Sequence, residues 1–423
     1  MPSFQFIHCA DLHLDSPLRG LDADGDAPAA RIRGATRDAF AALIQEAITR
    51  QVAFVVAAGD IYDGDWTDWR TGQFLLAHLA RLHDAGIPFI GVRGNHDAES
   101  IITRHLRLPD SAQLLDSRRP QTVALPELEV RIHGQSFRTR DVTDNLATHY
   151  PSGDAGHLNI GLLHTSLNGR EPHAPYAPCT ADQLRNHGYG YWALGHVHAR
   201  EIISTDPWIV FPGNLQGRHA REGGPKGACL VTVTDNLVRS VEPMVLDTVR
   251  WAQIRVDVSG AEDHEAVLAR TRAALIAALE TAQGRLLAAR IILSGACPAH
   301  ALLHRDPGDT ADRIRAETTA AGSDSIWAES VTLDTRAALD LEALRARPDT
   351  IGLLVRAIEA PGETEDGAAA AITAWSRTML DKVNGLRDAL GEDHPVVRAA
   401  GGTVPEALLA RARDLLLARL AED

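Results

Sequence analysis

Pro88-Phe89-Ile90-Gly91-Val92-Arg93-Gly94-Asn95-His96-Asp97 joins an apolar, strand-like run to three side chains that offer oxygen or nitrogen to a hard or borderline cation. Gly94 stops the strand, so the donors fall in the loop just past its end. The same plan recurs on both sides. Residues 52–58 run apolar into Gly59-Asp60, and residues 4–9 lead to Asp11-Leu12-His13. Residues 158–163 lead to His164, and residues 191–194 to Gly195-His196-Val197-His198. Helical periodicity over 29–50 and 71–85 separates the first three strands, and this βαβαβ opening predicts a layered α/β core with mixed sheets. Strands at 201–204 and 208–211 follow, then a hairpin of 228–234 and 237–245 that turns at Asp235-Asn236. A sheet sandwich flanked by helices has this order.

Past about residue 246 the pattern changes. Strands over 251–258 and 285–294, helices over 263–282 and 310–321, and an alternating stretch over 326–333 predict a compact second α/β domain. It carries none of the donor motifs, so shaping access to substrate suits it better than chemistry. Amphipathic helices are expected at 341–345, 350–359, 367–390 and 404–420, with hinge-like breaks at 361–363 and 399–402. These helices either pack on their own domain or dock a partner. The expected domains are 1–246, 247–336 and 337–423.

The chain has 423 residues and 45% hydrophobic content, enough for two or three domains with a sizeable core. Met1 to Ile7 runs directly into a motif-bearing strand without a basic and then apolar leader, and no apolar run approaches the about 20 residues that span a bilayer. The four cysteines form no CxxC pair, which disfavours a disulfide framework or a structural zinc site. A cytoplasmic protein with no membrane contact is the expectation. Acidic residues outnumber basic ones by 56 to 42, for a net charge of −14, which lends no support to nucleic-acid binding by this chain alone.

The motifs specify a two-metal phosphoesterase site. Asp11 and His13 stand at i and i+2 past a strand end and can share one cation. Asp60, after an apolar run and a glycine, suits a carboxylate that bridges two metals. Asn95 offers an amide oxygen, His96 can donate the leaving-group proton, and Asp97 is placed to orient that imidazole. His164, His196 and His198 all follow strands and complete the ligand set; His8, His133, His149, His157 and His173 show no such pattern and read as structural. Oxygen and imidazole without thiolate favour Mn²⁺ or Fe²⁺, with Zn²⁺ and Mg²⁺ also compatible. Two such ions about 3.5–4 Å apart would clamp a phosphate for in-line attack. No GxxxxGK[ST] loop is present, so ATP hydrolysis is not expected of this chain.

As a set the motifs resemble the calcineurin-like metallophosphoesterase superfamily. The run Ala10-Asp11-Leu12-His13-Leu14-Asp15-Ser16-Pro17-Leu18-Arg19-Gly20-Leu21 resembles the bacterial DNA-repair exonucleases of the SbcD type, nearest their YhaO-like branch, as do Gly59 to Gly64 and Phe211 to Arg218. The resemblance covers residues 4 to about 245. It implies an αββα metallophosphoesterase sandwich followed by a small α/β capping domain and a helical C-terminal segment. It further implies Asp11, His13, Asp60 and His198 around one metal, with Asp60, Asn95, His164 and His196 around the other. His96 would be the catalytic histidine, and Arg218 is a candidate contact to substrate phosphate. Some relatives carry a histidine three residues after the bridging aspartate; here Asp63 stands there, and no histidine role carries over to it. DNA as substrate, a coiled-coil ATPase partner of the SbcC or YhaN type and a homodimer belong to the same implication. The expected activity is thus a Mn²⁺-dependent DNA exonuclease, with endonuclease action a further mode. A nucleotide phosphodiesterase or phosphatase is the enzymatic alternative, and a scaffold with a structural metal site the non-enzymatic one.

Overall fold

The computed structural model describes residues 2–16, 27–63, 69–98, 106–169, 176–322, 324–338, 341–349, 352, 363–382, 386–391 and 394–403. Its first strands and helices are β1 (Ser3–Cys9), α1 (Ala27–Thr49), β2 (Phe54–Ala58), α2 (Arg70–Asp84) and β3 (Phe89–Val92), as the apolar runs predict. Next come β4 (Ala112–Leu114), β5 (Gln121–Leu125), β6 (Val130–Gly134), β7 (Leu158–His164), α3 (Ala181–Arg185) and β8 (Tyr191–Gly195). Strands β9 (Glu201–Thr205), β10 (Trp208–Phe211), β11 (Gly227–Thr234) and β12 (Leu237–Val245) complete two six-stranded sheets. Asp235 and Asn236 both take positive φ, 54° and 60°, which matches the twist of the β11–β12 hairpin.

One sheet has the order β12-β11-β1-β2-β3-β4 and the other β5-β6-β7-β8-β10-β9. Strands β1 to β4 run parallel, as do β6, β7, β8 and β10. Their C-terminal ends therefore share one edge of each sheet, where open α/β sheets bind ligands. Strands β2, β7 and β8 are buried along their whole length, so apolar residues fill both faces and the sequence reads as a continuous run. Between the sheets Phe6 stacks on Phe54 at 4.8 Å and meets Tyr191 edge-on at 5.4 Å, within a core that includes Val56, Val92, Ile160 and Leu162. Phe40, Leu43, Leu75 and Leu79 of α1 and α2 cover the outer face of the first sheet, against Ile7, Val55 and Phe89. Leu184 and Tyr150 cover Leu163, Trp192 and Phe211 on the outer face of the second. The layers are helix, sheet, sheet, helix.

The chain divides into two compact units. The first comprises Met1–Gln253, Ala278–Ala289 and Asp324–Trp327, and the second Ile254–Ala277, Arg290–Ser323 and Ala328–Asp423. The later elements are β13 (Val249–Asp257), α4 (His264–Ala282), β14 (Leu286–Cys297), α5 (His300–Arg305), α6 (Pro307–Gly322) and β15 (Ile326–Ala337), with the strands in a sheet of order β13-β14-β15. In the first unit Val249, Trp251, Leu286 and Ala288 pack with Ile32, Ala35 and Ala220. In the second, Arg272 pairs with Glu317 at 2.7 Å, and Arg290 pairs with Glu329. Helices at Glu363–Lys382 and Pro395–Ala400 meet through Leu380, Val397 and Ala400. Ala399 and Ala400, read as part of a hinge, are instead buried residues at a helix end. The expected helices over 350–359 (Gly352 apart) and 404–420, residues 361–362 and His173 lie outside the described residues. Among the described residues no helix is long and apolar enough to cross a membrane.

Leu162 is fully buried between the sheets, so Leu162→Ala removes packed methyl groups and leaves a cavity. We expect it to lower unfolding free energy by about 2–5 kcal/mol in urea titrations. A loss below about 1 kcal/mol would contradict the sandwich packing described here.

Candidate metal centre

The donor loops leave β1, β2, β3, β7 and β8 at the shared edge and are fastened to one another by main-chain hydrogen bonds. Asp11 N–H donates to the Gly59 carbonyl at 3.0 Å and His13 N–H to that of Asp60 at 3.0 Å. Asp11, His13, Asp60 and His196 all hold positive φ, at 50°, 43°, 51° and 96°. Such backbone costs about 1–3 kcal/mol per residue and persists only where its surroundings enforce it. Two glycines make room for the donors. A Cβ on Gly94 would lie 2.2 Å from Asp60 Oδ1, and one on Gly59, whose φ is 95°, would lie 2.5 Å from His164 Nδ1.

Three overlapping groups of donors converge among the described residues: Asp11, His13 and His198; His13, Asp60 and His96; and Asp11, Asp60 and His164. Asp60, only 1% exposed, belongs to two of them. Its Oδ2 lies 3.4 Å from His164 Nε2 and 3.8 Å from His13 Nε2, while its Oδ1 accepts the His96 N–H at 3.0 Å. Asn95 Oδ1 lies 2.9 Å from His164 Nε2. His196 joins through its main chain, donating N–H to both Asp11 oxygens at 3.1 and 3.0 Å; its ring meets His164 edge-on at 5.2 Å, outside the three groups.

The Ala58 carbonyl can only accept, so His164 Nδ1, 2.9 Å away, carries a proton. A neutral His164 would then aim its Nε2 lone pair at two acceptors, Asn95 Oδ1 and Asp60 Oδ2. A second lone pair lies at His198. His198 Nδ1 is 2.6 Å from Glu222 Oε1, and its Nε2 faces His13 Nε2 at 3.2 Å and Asp11 Oδ1 at 3.8 Å. Acceptors converge on acceptors around His164 Nε2, which therefore needs a proton or a cation, while at His198 Nε2 the His13 ring can meet the lone pair with a proton or leave it to a cation. The donor set fits divalent cations.

Electrostatics agree. Burial works against the Asp60 charge, but the His164, His13 and His96 imidazoles outweigh it and hold the carboxyl well below its usual range. Burial likewise pushes His164 down, while the Asp60 charge and hydrogen bond raise it further, to about 9. His8, read as structural, is buried against Tyr191 Oη at 2.9 Å, and desolvation drives it to about 3.

Around this centre the structure corrects one expectation and adds two residues. Asp97 does not orient His96. Its carboxylate turns under the loop, where the Ile61, Tyr62 and Gly94 N–H groups donate to it at 3.1, 2.8 and 2.9 Å. Those amides are buried and need an acceptor, which fixes the side chain inward. Asp63 takes the role instead, with Oδ1 2.6 Å from His96 Nδ1. Glu222, which no motif pointed to, holds His198 and accepts the Arg218 N–H at 2.8 Å. The only sequence signal for Asp63 was its place three residues after Asp60; Glu222 had none. Arg218 reaches Asp63 at 3.2 Å and Glu222 at 3.3 Å and is half-buried rather than a free surface arginine.

The family described as "Calcineurin-like phosphoesterase" matches residues 4–200, and "Metallophosphoesterase YhaO, middle domain" matches residues 251–336. The chain is 35% identical over 266 residues to "Uncharacterized metallophosphoesterase YhaO" of Bacillus subtilis, covering 62% of this chain and 65% of that one. It is 29% identical over 241 residues to "DNA double-strand break repair protein Mre11" of Haloferax volcanii, covering 56% and 52%. The chain thus spans less than two thirds of the length of either relative. A dimetal phosphatase structure from Danio rerio superposes over 55% of this chain and 93% of its own at 15% identity, with a TM-score of 0.35, too loose to carry an argument.

His164 supplies a prediction. Near pH 7 the metal-free imidazole, raised to about 9, holds its second proton, and only the neutral ring can ligate. Metal uptake therefore expels protons, and affinity climbs as pH rises towards about 9. Calorimetric titration with Mn²⁺ in buffers of different ionisation enthalpy should show net proton release near pH 7; uptake without proton release would contradict the arrangement.

Proposed function

From a chain that carries a calcineurin-like phosphoesterase domain followed by a YhaO middle domain, we propose a two-metal phosphodiesterase whose substrate is DNA. The observation that carries this reading is the convergence of His164 Nε2, Asp60 Oδ2 and Asn95 Oδ1 on one point beside the His13–His198 pair. Asp11, His13, Asp60 and His198 would hold one cation, and Asp60, Asn95, His164 and His196 the other. Manganese suits a mixed oxygen and imidazole set. Two cations there supply Lewis-acid polarisation of the phosphate ester and activation of water.

The chain's own residues supply the rest. Asp60 sits between the two donor sets, and its Oδ1 pins the His96 main chain at 3.0 Å. Asp63, held well below the usual carboxyl range despite burial, by His96, His13 and Ser16, stays ionised. Its hydrogen bond and the neighbouring Asp60 charge raise His96 against the opposing effect of burial. His96 thus keeps a proton to give to the departing sugar oxygen. The Asp63 contact to Nδ1 leaves Nε2 as the donating atom.

The DNA assignment rests on the likeness to Mre11 and to the SbcD-type motifs. A net charge of −14 gives the chain little electrostatic affinity for a polyanion. A coiled-coil ATPase of the SbcC or YhaN kind would supply it, with the helical segment of 337–423 as its docking site and the α/β cap of 247–336 shaping access. The same charge favours a second reading, a small phosphodiester as substrate.

Mn²⁺-loaded protein offered end-labelled duplex DNA, single-stranded DNA and bis(p-nitrophenyl) phosphate separates these readings. Asp60→Asn should lose on the order of a thousandfold in turnover on every substrate. His96→Ala should cost about 10²–10⁴-fold on DNA but far less on the nitrophenyl ester, whose leaving group departs without a proton. Full turnover by Asp60→Asn would sink the assignment, and hydrolysis of the small ester with DNA untouched, even beside the ATPase, would establish the second reading.

A further inference from the structure

Arg218 is the one guanidinium among the described residues that joins two carboxylates each carrying an imidazole of the metal centre. Its Nη1 lies 3.2 Å from Asp63 Oδ2 and 3.5 Å from Ser16 Oγ, and its Nη2 lies 3.3 Å from Glu222 Oε1 and 3.4 Å from His198 Nδ1. Asp63 holds His96 Nδ1 and Glu222 holds His198 Nδ1, each at 2.6 Å. The main chain ties the same knot: Glu222 Oε2 accepts the Arg218 N–H at 2.8 Å and the Asn214 amide at 2.9 Å. The result is an unbroken chain of contacts, His96–Asp63–Arg218–Glu222–His198.

We propose that Arg218 is a positioning residue: it holds the leaving-group acid His96 and the metal ligand His198 in one register, and it is not a contact to substrate phosphate. The inference rests on the two-cation reading above. A planar guanidinium can serve two carboxylates at once through its separate nitrogens, whereas an ammonium is a single point charge. The Arg218 side chain is 14% exposed, and both its Nη atoms are engaged by protein oxygens, which a contact to substrate phosphate would have to displace. Glu222 fixes the His198 ring so that Nε2 faces Asp11 and His13, and Arg218 in turn fixes Glu222. The role therefore falls first on metal affinity and only then on rate.

The test compares full-length wild type with Arg218→Met, Arg218→Lys and the near-isosteric Glu222→Gln. Mn²⁺ binding to metal-stripped protein is read by calorimetry, and kcat and KM are measured on bis(p-nitrophenyl) phosphate and on a dinucleotide, whose alkoxide leaving group needs the His96 proton. Thermal melts of the metal-free proteins check folding, and Glu222→Gln keeps the test open should Arg218→Met not fold. Glu222→Gln and Arg218→Met should each weaken one of the two Mn²⁺ sites by about 10–100-fold and leave the other near wild type. KM should stay within about twofold while kcat at limiting Mn²⁺ falls, and Arg218→Lys should not restore it. A tenfold or larger rise in KM for Arg218→Met with both Mn²⁺ sites intact would make Arg218 a phosphate contact and overturn the proposal. Wild-type behaviour of every variant would overturn it too. Wild-type protein that takes up no Mn²⁺ would instead overturn the two-cation reading, and this inference with it.

Discussion

Asp60 is a carboxylate almost wholly removed from water at the end of a strand packed on both faces, and it remains charged. Taking such a group out of solvent costs several kcal/mol unless opposite charge and hydrogen bonds stand close by. The surrounding loops meet that demand. His164 and His13 face one oxygen, the His96 main chain donates to the other, and Gly59 and Gly94 leave the space in which these groups approach. Positive φ at Asp11, His13, Asp60 and His196 is the conformational cost of aiming three strand ends at one point. The sandwich makes this bearable, because the strained residues are anchored directly to buried parallel strands.

Carboxylate charge at the centre is met in the metal-free protein by Arg218 and by imidazoles that hold protons, His164 above all. Asp11, Asp60, Asp63, Asp97 and Glu222 lie in or beside it, and Arg218 is the fixed cation in direct contact with two of them. Divalent ions bound there would displace the His164 proton and take over that role. Part of the acidic excess of the sequence is thus buried at this centre rather than spread over the outer surface.

The candidate metal ligands Asp60 and His164 stand out in the sequence because each lies at or just past the end of a strand buried on both faces, and such strands appear as uninterrupted apolar runs. Val55 to Ala58 and Leu158 to Leu163 are examples, with Asp60 and His164 just beyond. Strands β5 and β6 were not legible. Alternate residues of β5 are exposed, and β6 carries Arg131 and His133, the latter held by Thr122 at 2.8 Å and Asn159 at 3.1 Å. The support around the ligands was hidden for another reason. Whether Asp63 or Asp97 meets His96 depends on how the loop folds back over β2, and both lie within reach in sequence. Glu222 meets His198 only because the segment after β10 returns across the strand ends, a long-range contact that residue spacing does not encode.

Anomalous diffraction from crystals of Mn²⁺-loaded protein, collected at the manganese edge, tests the central claim most directly. Two peaks about 3.5–4 Å apart on either side of the Asp60 carboxylate are the predicted result. One peak alone, or peaks away from Asp60, would contradict the account of a buried carboxylate shared by two cations.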